Sequence, residues 1–339
     1  MRVALLGYGL AGATFHGPLI AATPGLRLAA VVTGSRERQE RARKDHPGAL
    51  VLGQADELWG RAGELDVVVV ATPNRSHVPL ALAALEAGLA VVVDKPLAPS
   101  AAEGRRLVEE ARRRGLLLTT FQNRRWDGDF LTLDRLLGAG ALGRVLRFES
   151  RFERWRPALR EVWRERGAPE EAGGLLFDLG SHLIDQALVL FGPVVSAYAE
   201  LDRRRPGSEV DDDTFVALTH ASGTRSHLWM SVLAAQRGPR LRVLGERAAF
   251  TKLGLDGQEE ALRAGVRPDT PGWGQEPPER WGQLGVDGAL RPVATEPGAY
   301  PRFYAGVLAA LRDGAPPPVD PMGSVAVLEV IAMAQRAAG

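Results

Sequence analysis

The stretch that decides the fold reads Val67-Val68-Val69-Val70-Ala71-Thr72-Pro73-Asn74 and, beyond a helical span carrying His77, Ala90-Val91-Val92-Val93-Asp94-Lys95-Pro96. Two short, continuously apolar runs joined by a helix-length connection read as parallel strands buried on both faces, because parallel neighbours need crossover connections. The same alternation extends outward. Toward the N-terminus lie the strand Arg2–Leu6, a helix over about 11–22, the strand Arg27–Thr33, the charged helix Glu37–Asp45, a short strand at Leu50–Leu52 and a helix near 56–62. Toward the C-terminus, the helix Val78–Ala87 precedes the second apolar run, and the helix Ala101–Arg114 and the strand Leu116–Phe121 follow it. The expected fold class is α/β, with a doubly wound parallel sheet of the Rossmann type.

Gly7-Tyr8-Gly9-Leu10-Ala11-Gly12 fits G-x-G-x-x-G in the context that gives the pattern meaning, after a strand and at the opening of a helix. Its glycines permit a tight turn, close approach of a pyrophosphate and packing of helix on strand, while the helix N-terminus supplies donors. The second strand ends Val31-Val32-Thr33-Gly34-Ser35-Arg36, with no acid where NAD-preferring sites hold the ribose 2′-hydroxyl. Thr33 and Ser35 offer hydroxyls, and Arg36 offers a guanidinium suited to a 2′-phosphate, so NADP is the expected cofactor, with NAD possible. Arg36 also fits an exposed residue opening a charged helix, with NAD bound through the hydroxyls alone.

Thr72, Pro73, Asn74 and His77 follow a strand expected near the switch point of the sheet and are assigned, with Asp94 and Lys95, to the cofactor site. A capped turn with an exposed histidine is the bland alternative. Lys95 is one of three lysines, with Lys44 and Lys252, in a chain that otherwise takes its positive charge from arginine. It stands at the carboxyl end of a strand, where open α/β sheets bind ligands, and is a candidate for chemistry.

After residue 122 the texture changes, and two domains are expected, 1–122 for dinucleotide binding and 123–339 for substrate binding and oligomerisation. A helix over 129–137 is followed by strand-like runs at 145–154, 194–201, 214–220, 226–234 and 241–245, which imply an open, largely antiparallel sheet. An open sheet exposes a face that a second subunit commonly covers, so a homo-oligomer, dimer or tetramer, is expected. Residues 265–300, rich in Pro and Gly and holding Trp273 and Trp281, read as a long irregular segment, functional or mobile. Residues 322–337 read as a helix.

The second chemical cluster is Gly173-Gly174-Leu175-Leu176-Phe177-Asp178-Leu179-Gly180-Ser181-His182 with Asp185. A helix beginning near Leu179 places Asp178 at its N-cap and His182 four residues on, a carboxylate beside an imidazole suited to proton transfer. A helix cap and a structural histidine are the alternative. Asn123, Arg124, Arg125, Trp126 and Asp127 read as a substrate-facing hinge or a solvated linker. Arg156 and Trp163, with Trp155 and Arg164, admit the same two readings.

Composition removes several function classes. Forty-two basic against forty-one acidic residues leave a net charge of +1, which argues against a nucleic-acid partner. Zero cysteines remove disulfides, thiolate metal sites and cysteine nucleophiles, and no metal is expected. No apolar run reaches the roughly 18 residues of a membrane span, and glycine breaks the apolar N-terminus too early for a signal sequence. A cytoplasmic location without membrane association is the expectation.

Taken together these motifs resemble the glucose–fructose oxidoreductase / inositol dehydrogenase (Gfo/Idh/MocA) family across essentially the whole chain. The family's Glu-Lys-Pro signature appears here as Asp94-Lys95-Pro96, a mild departure that keeps the lysine, and its Asp-x-x-x-His element as Asp178 and His182. Phe15-His16-Gly17-Pro18, Asn123-Arg124-Arg125-Trp126-Asp127, Asp178-Leu179-Gly180-Ser181-His182 and Gly254-Leu255-Asp256-Gly257-Gln258-Glu259 are similar to the bacterial NADP-dependent scyllo-inositol dehydrogenases. The resemblance implies a Rossmann domain followed by an α/β domain on an open sheet, and hydride transfer to NADP from a ring hydroxyl of an inositol-like polyol. His182 is then the base, Asp178 its orienting partner and Lys95 the stabiliser of the alkoxide. Two alternatives stay open, a sugar or sugar-derivative dehydrogenase and a non-catalytic NAD(P)-sensing regulator.

Overall fold

The computed structural model describes residues 1–159, 165, 167 and 171–338. Its chain divides into two compact units, one formed by Met1–Asn123, Gln258–Trp273 and Tyr300–Val325, the other by Arg124–Gly257, Gly274–Ala299 and Ala326–Gly339. Residues 258–273 and 300–325 thus pack with the first unit, a return that division of the sequence at 122 does not convey.

The first unit is built on six strands: β1 (Arg2–Leu6), β2 (Arg27–Val32), β3 (Leu50–Leu52), β4 (Val67–Val70), β5 (Ala90–Asp94) and β6 (Leu118–Phe121). They run β3-β2-β1-β4-β5-β6 and every neighbouring pair is parallel. This is the doubly wound order, and its switch point falls between β1 and β4. All residues of β4 and β5 are buried, as strands covered by helices on both faces must be. The helix Ala101–Arg114 shows how local signals fix the crossovers. Ser100 caps its first turn by accepting from the Glu103 N–H, and Gly115, at φ +66°, ends it in the left-handed region.

The second unit carries β7 (Val145–Glu153), β8 (Val194–Asp202), β9 (Asp213–His220), β10 (Arg225–Ser231), β11 (Leu241–Gly245), β12 (Ala249–Lys252), β13 (Gly282–Val286) and β14 (Ala289–Val293). They form one sheet in the order β14-β13-β12-β11-β7-β10-β9-β8. Only the β7–β10 pair is parallel; the other neighbours are antiparallel. Along β9, buried and half-buried residues alternate strictly, so one face makes core and the other does not. That second face holds an aromatic row, with Tyr198 against Phe215 and Phe215 against Trp229 at ring-centroid distances of 6.4 and 5.1 Å.

Two expectations are corrected. Residues 265–300 are not one irregular segment, for β13 and β14 form a hairpin that extends the sheet, joined by Asp287-Gly288, a dipeptide suited to a two-residue turn. The helix carrying His182 starts earlier than Leu179, as described below. The C-terminal helix spans Pro321–Ala338. Among the described residues no helix is long and apolar enough to cross a membrane.

Candidate active site

Each glycine of the loop after β1 does a different job. Gly7 sits at φ +97°, and a Cβ there would collide with the Ala71 carbonyl, at the end of neighbouring β4. A Cβ on Gly12 would collide with the Gly7 carbonyl, so this glycine lets the following helix close on the strand. Gly9 meets nothing of the backbone; the sole atom near its Cβ position is Arg38 Nη1, at 3.7 Å. The loop therefore turns at Gly7, packs at Gly12 and leaves the surface over Gly9 open, the cradle that a pyrophosphate requires. Gly12–His16 then forms a π-helical turn, a feature frequent at functional positions. Leu10 is exposed. The Tyr8 side chain turns into the interior and donates to Asp45 at 2.9 Å, leaving its backbone to the loop.

At the end of β2, Thr33 is buried and its carbonyl accepts from the Gln39 amide at 2.8 Å. Ser35 is the N-cap of the helix Arg36–Asp45, its hydroxyl accepting from the Arg38 N–H. The two arginines of that first turn differ. The Arg36 side chain is 92% exposed and lies against Glu40 at 3.3 Å, whereas Arg38 extends its guanidinium over the glycine loop. Sequence reading singled out Arg36 and passed over Arg38, although a helix capped at Ser35 brings a residue three positions on back over its own N-terminus.

Around Lys95 the chain is tightly held. Asp94, at the end of β5, accepts from the Lys95 N–H at 2.8 Å, and the Lys95–Pro96 peptide bond is cis. His77 is not an exposed histidine. It is buried, with Nδ1 2.8 Å from the Pro96 carbonyl and Nε2 3.0 Å from that of Thr72. Burial lowers its pKa, and a neutral ring has one N–H, so it serves one of these carbonyls at a time. The Ser76 hydroxyl braces the same corner, 2.8 Å from that of Thr72 and 2.7 Å from the Pro73 carbonyl. Asn74 is also buried.

In the second unit, Asp178 is not an N-cap. The helix begins before it, with a π-helical turn over Leu176–Gly180 that continues as the α-helix Ser181–Phe191. The Asp178 N–H already donates to the Gly174 carbonyl at 3.0 Å. The cap is Asp211, 35 residues beyond Leu176, whose carboxylate accepts the Leu176 N–H and the Thr214 hydroxyl, each at 2.7 Å. Asp178 lies half-buried within this first turn. His182 is buried one turn on.

The segment after Asn123 is a charged knot rather than a solvated linker. Asn123–Trp126 forms a 3₁₀ turn, and Asn123 and Arg124 are buried. Arg125 pairs bidentately with Asp185 at 2.8 and 2.7 Å, on the helix that carries His182. Gln186 donates to the Arg124 carbonyl at 2.9 Å and accepts from Arg240 at 2.9 Å, and Arg240 also lies 3.2 Å from Asp129. Asp127 is fully buried, 3.3 Å from Arg124, and burial pushes its carboxyl up to about 8 against the opposing pull of that guanidinium. The Trp126 carbonyl accepts from the Ala299 N–H. Arg156 is half-buried, its N–H donating to the Val232 carbonyl. Trp163 and Arg164 lie outside the described residues. Lys252 is buried against Glu276 at 3.0 Å and is structural. Among the described residues no group of three or more His, Asp and Glu side chains could hold a metal ion.

A doubly wound sheet with this glycine cradle defines a dinucleotide-binding protein. Comparison with known families makes the class particular. Residues 1–122 match the oxidoreductase family with an NAD-binding Rossmann fold, and residues 130–251 match the GFO/IDH/MocA C-terminal domain. The chain belongs to the GFO/IDH/MocA family of dehydrogenases. It is 42% identical to the uncharacterized oxidoreductase YdgJ of Escherichia coli (strain K12), covering 98% of this chain and 94% of that one. It is 34% identical to the scyllo-inositol 2-dehydrogenase (NADP(+)) IolW of Bacillus subtilis (strain 168), covering 99% and 93%. Among solved structures, the triclinic form of yvaA from Bacillus subtilis superposes with a TM-score of 0.94 at 33% identity, covering 99% of this chain and 95% of the other.

Proposed function

We propose that this protein reversibly oxidises a ring hydroxyl of an inositol-like polyol, with scyllo-inositol and scyllo-inosose as the substrate pair, and exchanges the hydride with NADP in preference to NAD. Similarity to the scyllo-inositol 2-dehydrogenase of Bacillus subtilis along nearly the full chain supports the substrate class. The observation that carries the cofactor reading is the Arg38 guanidinium over Gly9, at the end of a strand with no acid to repel a 2′-phosphate.

When bound, the nicotinamide cofactor supplies the hydride acceptor. The open backbone of Gly7–Gly12 fits its pyrophosphate, and Thr33, Ser35, Arg36 and Arg38 surround the proposed place of the adenosine ribose. Thr72, Pro73 and Asn74, braced by Ser76 and His77, form the wall beside β4. In the oxidation direction His182 accepts the hydroxyl proton, Asp178 orients that imidazole or a neighbouring hydroxyl, and Lys95 stabilises the developing alkoxide. The same groups in reverse protonate the alkoxide formed from a ketone. Asn123, Arg124, Trp126, Arg156 and Trp163 are the proposed substrate contacts, while the full burial of Asp127 supports a place in the charged knot instead.

Purified protein assayed for nicotinamide reduction over a panel of inositols and sugars, with NADP and with NAD, tests the reading. Turnover of scyllo-inositol above the sugars is expected. A preferred sugar would replace the substrate assignment, and no turnover with any member of the panel would overturn it.

A further inference from the structure

Asp94, next to Lys95, faces a buried pair, His16 and Tyr304, that has no task in the reaction described. His16, in the π-helical turn after the glycine loop, has no accessible surface. Its Nδ1 is 2.6 Å from the Tyr304 hydroxyl, 288 residues away. Its Nε2 faces the Asp94 carboxylate at 4.0 Å and makes no hydrogen bond. Phe121 holds the ring with centroids 4.3 Å apart and is itself packed on Phe303. Asp94 in turn accepts the Lys95 N–H.

The proton positions in this chain follow from chemistry. Burial first, then the nearby His77, lowers the His16 pKa to about 4 against the pull of Asp94, so the ring is neutral with one N–H. Placing that proton on Nδ1 would turn the Nε2 lone pair toward a carboxylate. Placing it on Nε2 points a donor at the carboxylate and leaves Nδ1 to accept from Tyr304. The tyrosine is held in its protonated form by burial and by Asp94, and so it can donate. One polarity therefore runs by hydrogen bond from Tyr304 to His16 and by electrostatic attraction from His16 to Asp94.

We propose that His16 is a positioning residue, fixed by Tyr304, which orients the Asp94 carboxylate and through it the backbone from which Lys95 reaches the reacting centre. At 4.0 Å the His16 N–H does not bond the carboxylate but attracts it across a buried gap, and that attraction opposes rotation of the strand end. This inference rests on the role proposed for Lys95, but its test does not require turnover. Lys95, Lys44 and Lys252 are the only lysines, and they differ usefully: Lys44 lies on an exposed part of its helix, whereas Lys252 is buried in an ion pair.

Competitive labelling of the intact protein with acetic anhydride, read by mass spectrometry, gives the rate at Lys95 relative to Lys44. Lys252 reports whether the fold has opened. His16→Leu keeps an apolar filling and removes both ring nitrogens; it should raise relative labelling of Lys95 at least threefold. His16→Gln restores an acceptor and a donor and should return labelling close to the parent. Tyr304→Phe removes the group that fixes the ring and should fall between. Where scyllo-inositol is turned over, His16→Leu should lower kcat by up to roughly 100-fold, the scale expected for a displaced catalytic group, with the Kd for NADPH within about twofold of the parent. Parent-like labelling in both His16→Leu and Tyr304→Phe would overturn the proposal, as would equal effects of Leu and Gln at position 16. If labelling of Lys252 shows that His16→Leu has opened, Tyr304→Phe decides. Failure of the parent to turn over polyols removes the substrate reading and leaves the labelling result to stand.

Discussion

Replacing Arg38 by alanine should cost this protein most of its preference for NADP. Among the described residues Arg38 has no carboxylate partner, and its Nη1 lies 3.7 Å from the Cβ position of Gly9, so no ion pair has to be broken before it meets a phosphate. A hydrogen bond to a charged group is worth about 1.5–3 kcal/mol. At about 1.4 kcal/mol per tenfold, this corresponds to roughly 10- to 150-fold in affinity. Arg36 is differently placed. Its side chain is 92% exposed and engaged with Glu40, and exposed pairs of this kind contribute about 0.2–1 kcal/mol, so Arg36→Ala should change the preference by no more than about fivefold. The assay is fluorescence titration of NADPH and NADH into parent, Arg38→Ala and Arg36→Ala at one ionic strength, because salt screens an exposed guanidinium, with kcat/KM for both cofactors beside it. Binding of NADH in Arg38→Ala should match the parent. A parent that binds both cofactors equally, or an Arg38→Ala variant that keeps the parent's ratio, would refute the reasoning; the reverse ranking of the two variants would return the role to Arg36.

Lys95→Ala and His182→Ala should each lower kcat by roughly 100-fold or more, with nucleotide Kd little changed by titration; near-normal turnover in the His182 variant removes it from proton transfer. The Asp127 carboxyl, held near 8 by burial, keeps in the folded chain a proton that an unfolded aspartate, at about 3.9, has released. Its contribution to stability is therefore greatest below about pH 4 and declines as pH rises toward 8. Asp127→Asn should accordingly melt closer to the parent, or above it, as pH is raised from about 5 to 8, and a melting difference flat across that range contradicts this. The outward aromatic row of Tyr198, Phe215 and Trp229 favours a homo-oligomer. Light scattering at micromolar concentration should give more than the monomer mass, and Tyr198→Glu should shift it toward monomer.

The first sheet was legible because its strands are apolar runs at crossover spacing and because Gly7, Gly9 and Gly12 follow the first of them. What escaped reading depends on partners far apart in sequence. Asp178 looks like a cap because it precedes a helical run, and nothing local announces that Asp211, just ahead of β9, takes that duty. β13 and β14 were hidden by their glycines and prolines, although Asp287-Gly288 was the one turn signal that marked them. Arg38 is illegible for another reason: it lies beyond the strand end, and only the cap at Ser35 sets which side chain of the next turn comes back to the loop. His16 was noted within a motif, but its partner Tyr304 lies almost a chain length away.

That the nucleotide-binding unit is sewn from three stretches has a consequence for how the protein is made. The Thr119 hydroxyl in β6 donates to the Val319 carbonyl at 2.8 Å, across 200 residues. At about 5–20 residues per second on the ribosome, roughly 10–40 s separate the emergence of these two partners. During that interval the strand edge and the ring of Phe121 wait without the helix that carries Phe303 and Tyr304. The N-terminal sheet is thus first to emerge and among the last parts to be finished, its β6 edge lacking these partners until translation nears its end.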